Sequence, residues 1–228
     1  MSFHVRDLTM ITSEKTSEEP LAEIMNLFPT PLLYGKRNKD LTEEERNCID
    51  ELCKDVRGNG DANRITNYTY VLRRPELKDL NTFLTQMSND FLFNVFAPKG
   101  EFGLYITQSW INVTKPGQHH HRHRHPNSVF SGTFYIDTIP NDMIQVFSNI
   151  MSHPLLYAYD CDFKNQNMHN AFMYSQIVNK NDVVIFPSNL EHSVPANKSN
   201  ETRISLAFNT FLRGKVGNNI DLTELVLQ

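Results

Sequence analysis

At 228 residues, with 22 basic and 26 acidic side chains and a formal net charge of −4, the chain can form one sizeable core and is too evenly charged for a general nucleic-acid footprint. Cys48, Cys53 and Cys161 are odd in number and form no CxxC pair, which argues against a disulfide framework or a cysteine zinc site and for a reducing compartment. The opening MSFHVRDLTM carries charges where a signal peptide needs an apolar stretch, and no run of about 18 apolar residues occurs, so a soluble, cytoplasmic protein away from membranes is expected.

Residues 1–24 are mostly polar and read as a loose arm. The apolar run from Leu27 to Tyr34 is cut by Pro29 and Pro31, which suits an extended segment or an edge strand. Thr42-Glu43-Glu44-Glu45 is a capping-box pattern, predicting a helix through about Val56 with Ile49, Leu52 and Val56 on its buried side. A second helix is predicted from Pro75 or Glu76 to about Phe96, because Leu77, Leu80, Leu84, Met87, Phe91 and Val95 recur at helical spacing.

After Pro98-Lys99-Gly100 the period changes to two. Phe102, Leu104 and Ile106 alternate with other residues, as do Ile111 and Val113. Further strand-like runs cover 129–137, 144–147, 156–159, 172–178, 182–186 and 203–212, punctuated by Lys115-Pro116-Gly117, Pro126-Asn127, Pro140-Asn141, Asn179-Lys180-Asn181 and Lys198-Ser199-Asn200. Short strands without intervening helices predict a mainly β sandwich or barrel, with the two helices packed outside it.

Five of the seven residues from His119 to His125 are histidine, the commonest side-chain metal ligand near neutral pH. In a strand, residues two apart share a face at roughly 6–7 Å, so His123 and His125 can enter one cavity. His121 has the same parity and is an alternative to either. A solvated cationic loop is the plainer reading of such a run. A structural zinc site has little support, since cysteine partners and the HExxH spacing are both lacking. Downstream, Asp182 to Phe186 reads as a buried strand, followed by a Pro187 turn and a solitary His192. In Arg203-Ile204-Ser205-Leu206-Ala207-Phe208-Asn209 the odd positions are mostly polar or small, so Arg203, Ser205 and Asn209 share a face. Lining a cavity, an arginine fork and a hydroxyl there would hold a carboxylate.

From about Gly103 to Leu212 the chain resembles the double-stranded β-helix of cupins and Fe(II)/2-oxoglutarate oxygenases. Gly117 with His123-x-His125 is similar to the first cupin motif. Asn181 to His192 is similar to the second, with Asn181 and Asn189 in place of glycines. Leu27-Phe28-Pro29-Thr30-Pro31, Trp110-x-Asn112, His123 to Ser128, Ser131-Gly132, Phe186-Pro187-Ser188 with His192, and Arg203-Ile204-Ser205 with Phe208-Asn209 together resemble the 2OG-Fe(II) oxygenase family found in bacteria and tailed phages.

The resemblance implies one domain: an arm over 1–24, a helical support over 25–98, a catalytic double-stranded β-helix (jelly-roll, cupin-like) over 99–213 and a tail over 214–228. It implies Fe(II) held by His123, His125 and His192, 2-oxoglutarate held at its far carboxylate by Arg203 and Ser205, and O2 as co-reactant, for hydroxylation of a substrate C–H bond with release of succinate. Asn112, Tyr135 and Asn209 are weaker lining candidates, equally readable as strand residues bonded to their neighbours. The oxoglutarate oxygenases usually have Asp or Glu where this chain has His125; Asp137 and Asp160 are possible alternative ligands. Two further readings stay open: a cupin-type three-histidine enzyme (thiol dioxygenase or isomerase) that does not use 2-oxoglutarate, and a non-catalytic metal-binding barrel. The substrate, small-molecule or peptidyl, is not legible, and a homodimer is left open.

Overall fold

A computed structural model describes residues 26–148 and 162–227. The predicted arm over 1–24 and strand over 156–159, with Asp160 and Cys161, lie outside them. The chain divides into residues 1–31 and residues 32–228; the architecture below is that of the second unit.

The apolar run becomes a strand only past its prolines, as β1 (Leu33–Lys36), which is the edge strand of a large sheet and pairs with the strand Asp182–Pro187. Helix α1 (Glu43–Leu52) opens on the capping box: Glu45 N–H donates to Thr42 Oγ1 and Thr42 N–H to the Glu45 carboxylate. It ends four residues earlier than the spacing predicts. Val56 instead starts β2 (Val56–Gly58), which pairs with β3 (Arg64–Thr66), so the helical recurrence of Val56 was a coincidence of a half-buried strand residue. Helix α2 (Lys78–Phe91) follows two 3-10 turns at Val71–Arg73 and Pro75–Leu77. It continues as a π-helical turn over Leu92–Phe96, closed by Ala97 in the left-handed region (φ 43°). Leu77, Leu80, Leu84 and Phe91 are buried, whereas Val95, beyond the regular helix, is exposed.

The remaining strands are β4 (Glu101–Thr114), β5 (His120–His123), β6 (Phe130–Asp137), β7 (Met143–Phe147), β8 (Met173–Ile177), β9 (Asp182–Pro187), β10 (His192–Val194), β11 (Arg203–Val216) and β12 (Leu225–Leu227). They form an eight-stranded sheet ordered β1-β9-β6-β11-β4-β3-β2, with β12 added to β11, and a four-stranded sheet ordered β5-β10-β7-β8. This is the mainly antiparallel barrel expected from the alternating pattern and the double-stranded β-helix that the resemblance implies, with more strands: β2, β3, β5, β10 and β12 are short or follow loops and gave no alternation of their own. The two runs around Leu104 and Ile111 are one strand, β4, paired along nearly its whole length with β11.

The alternation has a direct structural meaning. Val183 and Ile185 of β9, with Leu206 and Phe208 of β11, pack in the core that also holds Leu77, Leu80 and Leu84 of the helical side. Val184 and Phe186 face the other way, into a second cluster with Tyr135 and Ile144. One face of the large sheet thus carries the helices and the other lines the barrel interior. Gly132 is required there: a Cβ on it would stand 2.3 Å from Cζ of the buried Phe208, its partner across β6 and β11. Asn89 ties α2 to the sheet, accepting from Leu104 N–H at 2.8 Å and donating to Leu104 O at 3.1 Å.

Candidate metal centre

Each of the three histidines reaches the barrel mouth by a different local device. His192 is the first residue of β10 and lies opposite His123, the last residue of β5. His125 lies two residues past the end of β5, so the expectation that His123 and His125 share a strand is corrected. The chain leaves the sheet at Arg124 and the His125 N–H donates to Ser188 O at 2.9 Å rather than to a ladder partner. Asn127, in the left-handed region at φ 54°, completes the turn back into β6.

One ring nitrogen from each of His123, His125 and His192 falls within 4.8 Å of the other two. The partners of the other nitrogens fix which ones face inward. His123 Nδ1 lies 2.8 Å from His121 O, His192 Nδ1 lies 3.0 Å from Leu190 O, and His125 Nδ1 lies 2.6 Å from Asn209 Oδ1. All three partners are carbonyl-type oxygens, which only accept, so each Nδ1 carries the proton and each Nε2 presents a lone pair. The Nε2 atoms of His123 and His125 are 3.0 Å apart. Two acceptors at that distance repel unless a cation lies between them, and about 3 Å is the separation of cis ligands each about 2.1 Å from one metal ion. The donor set therefore fits a divalent ion.

Electrostatics point the same way. Burial, followed by the charges of neighbouring imidazoles, pushes His192 down to about 3. Burial is also the largest cause lowering His123, to about 4, and it lowers His125 against the opposing bond to Asn209. Neutral imidazole is the form that ligates metal. His121, the alternative ligand, is exposed; it forms a second converging set with His120 and His123. In that set His120 Nε2 is already occupied by the Asn59 side-chain amide at 3.1 Å. Asp137 is turned away from the histidines and pairs with Arg46 of α1 at 2.9 Å.

Behind His125 lies a chain of hydroxyls. Asn209 Oδ1 also accepts from Ser131 Oγ at 2.8 Å; Ser131 and Ser188 are linked at 2.8 Å, and Ser188 donates to Ser128 at 2.7 Å. Four residues of the motifs singled out in the sequence thus share one task, holding the His125 acceptor. The Trp110 ring, also a motif residue, lies 5.7 Å from the His125 ring.

Deeper in the same cavity are Asn112, Tyr135, Arg203 and Ser205, placed by register: Ser205 of β11 is opposite both Asn112 of β4 and Tyr135 of β6. Arg203 is 3% exposed and its Nε donates to Asp142 Oδ2 at 2.8 Å. The Tyr135 hydroxyl is buried beside it and has no hydrogen-bond partner among the described residues. Burial raises the Tyr135 pKa more than the nearby guanidinium lowers it, so the hydroxyl keeps its proton. Asn112 Oδ1 accepts from Asn63, and Asn59 in turn donates to Asn63, so the β2–β3 hairpin closes one side of the site. Sequence reasoning missed Asp142, Asn59 and Asn63, because each is a lone polar residue in a turn, outside any periodic pattern.

Residues 108–209, which carry the three histidines, Asn112, Tyr135, Arg203, Ser205 and Asn209, match the model of the family described as "Putative 2OG-Fe(II) oxygenase". Over these residues the chain is similar to that family. The fold is also similar to that of solved structures. The non-heme alpha ketoglutarate dependent carbocyclase SnoK from nogalamycin biosynthesis is 15% identical, with a TM-score of 0.53 over 79% of each chain. The epimerase SnoN from the same biosynthesis is 10% identical, with a TM-score of 0.55 over 80% of this chain and 78% of its own. A Pseudomonas putida prolyl-4-hydroxylase is 11% identical, with a TM-score of 0.50 over 79% of this chain and 92% of its own. A search of curated proteins gives no match. The Fe(II), 2-oxoglutarate and O2 expected from the sequence are the cofactors of this oxygenase family. No helix among the described residues is long and apolar enough to cross a membrane.

Proposed function

We propose that the chain is an Fe(II)- and 2-oxoglutarate-dependent hydroxylase whose iron is held by Nε2 of His123, His125 and His192. The observation that carries this reading is the fixed tautomer of all three imidazoles, each donating Nδ1–H to an oxygen and turning its lone pair toward the other two. When bound, iron with 2-oxoglutarate and O2 supplies the oxidising power for attack on a C–H bond. The chain's own residues bind, orient and exclude water. Arg203 presents its terminal nitrogens to the far carboxylate of 2-oxoglutarate. Ser205 and the Tyr135 hydroxyl add donors, and Tyr135 gains the hydrogen-bond partner it lacks among the described residues. Asn112, held through its oxygen by Asn63, keeps its NH2 group for the cavity. Phe186 and Ile144 form part of the apolar wall beside the histidines. The substrate is a small molecule or a peptidyl side chain, reached from the barrel mouth.

Oxygen-dependent release of succinate from 2-oxoglutarate by the Fe(II)-loaded protein tests the reading; no succinate above the rate of the Arg203→Lys variant would reject it. A second reading draws on the same histidines. An all-imidazole triad lacks the carboxylate usual in oxoglutarate oxygenases and suits a cupin-type thiol dioxygenase or isomerase, with Arg203 binding the substrate directly. Oxygen uptake or turnover without 2-oxoglutarate would favour it.

A further inference from the structure

Arg203 is not a free cation. It is held through Nε by Asp142 at 2.8 Å, and the side chains of the pair are 4% and 2% exposed. Asp142 follows Asn141, whose left-handed backbone (φ 57°) ends the Pro140-Asn141 turn and delivers the carboxylate to the start of β7. Asp142 lies behind Arg203 and does not line the cavity, whereas Arg203, Tyr135 and Ser205 do. Nε is the guanidinium nitrogen farthest from the tip, so this pairing leaves both terminal nitrogens for a ligand. A ligand is independently indicated by the Tyr135 hydroxyl, fully buried beside the guanidinium and without a hydrogen bond of good geometry among the described residues.

The charges can be counted. A divalent ion on three neutral imidazoles contributes +2, Arg203 contributes +1 and a dicarboxylate contributes −2, leaving one uncompensated positive charge in a site whose inner wall, with Arg203, Tyr135 and Ser205, is buried. Asp142 removes it. The other buried carboxylate near Tyr135, Asp182, is engaged elsewhere, by the Tyr34 hydroxyl at 2.7 Å and the Asn179 N–H at 2.6 Å. We propose that Asp142 is a positioning and charge-balancing residue for the dicarboxylate co-substrate: it fixes Arg203 by Nε and brings the loaded three-histidine pocket to neutrality. Buried charge without compensation is costly, so the identity of one metal ligand and the presence of Asp142 are linked across the cavity.

This inference rests on the oxoglutarate reading above, and its test separates the two. Oxoglutarate is titrated calorimetrically, without oxygen, into Ni(II)-loaded wild type, Asp142→Asn, His125→Asp and the double variant. His125→Asp adds a negative charge and should still hold metal while weakening oxoglutarate by about tenfold. Adding Asp142→Asn to it removes a negative charge and should recover most of that loss, although the same change in the wild-type background gives no gain of that size. Equal weakening by Asp142→Asn in both backgrounds would overturn charge balancing. Absence of oxoglutarate binding to the wild type would instead overturn the reading on which it rests. Asp142→Ser and His125→Glu stand in if an asparagine variant fails to fold or an aspartate variant fails to hold metal, with the same sign of coupling required.

Discussion

Asn209 Oδ1 lies 2.6 Å from His125 Nδ1 and accepts a second bond from Ser131, so the amide cannot turn without losing both. That relationship fixes the ring of His125, which stands outside any strand, and under the proposed assignment directs its Nε2 toward the metal. Asn209→Leu should therefore lower Fe(II) affinity by about 10- to 100-fold, the usual cost of losing a ligand's hydrogen-bond partner. Asn209→Asp keeps an acceptor oxygen and should keep affinity near wild type. Anaerobic Fe(II) titration of both variants checks this; equal losses would mean that Asn209 serves the fold and not the tautomer.

The Tyr135 hydroxyl is buried without a partner among the described residues. Tyr135→Phe should leave the unliganded protein equally stable or more stable by about 1 kcal/mol, since an unsatisfied buried group is removed. The same variant should bind oxoglutarate several-fold more weakly. Thermal unfolding and calorimetry are the two readouts, and loss of stability without loss of binding would contradict the assignment.

Gly132→Ala tests packing between β6 and β11. Its Cβ would stand 2.3 Å from Phe208 Cζ, and Phe208 is fully buried. Overpacking of this kind should destabilise the fold by about 1–3 kcal/mol in urea denaturation. Pairing it with Phe208→Leu should recover part of the loss.

Much of this molecule was legible in the sequence where a period or a repeat of chemistry marked it. The strands β6, β9 and β11 alternate because one face meets the helices and the other the cavity, and Arg203 and Ser205 could be placed on one face for that reason. The histidines were conspicuous as a run plus one. What could not be read were contacts made by irregular backbone. Val56 fits helical spacing after Ile49 and Leu52, yet pairs as a strand with Thr66, because periodicity does not say where a helix stops. His125 has the parity of a strand ligand but reaches the site by leaving the sheet. Asp142 and Asn63 meet Arg203 and Asn112 from 61 and 49 residues away, and nothing local predicts such a meeting.

Arg203→Lys keeps the positive charge and loses the planar fork. Oxoglutarate binding should weaken by about tenfold or more, while Fe(II) affinity stays within about twofold of wild type. The two titrations are made on the same preparation. Loss of metal binding with the fold preserved would show that Arg203 supports the histidines instead.

The most direct test of the three-histidine centre is anaerobic Fe(II) titration of the His125→Ala, His119→Ala and His120→Ala variants against wild type. His125 contributes one of the converging lone pairs, His119 is exposed, and His120 Nε2 is engaged by Asn59. His125→Ala should lower affinity by about tenfold or more, in line with loss of one of three ligands, with little change for the other two. Equal losses in all three variants would mean a loose chelating patch, and an unaffected His125→Ala would contradict the assignment and pass the ligand role to His121.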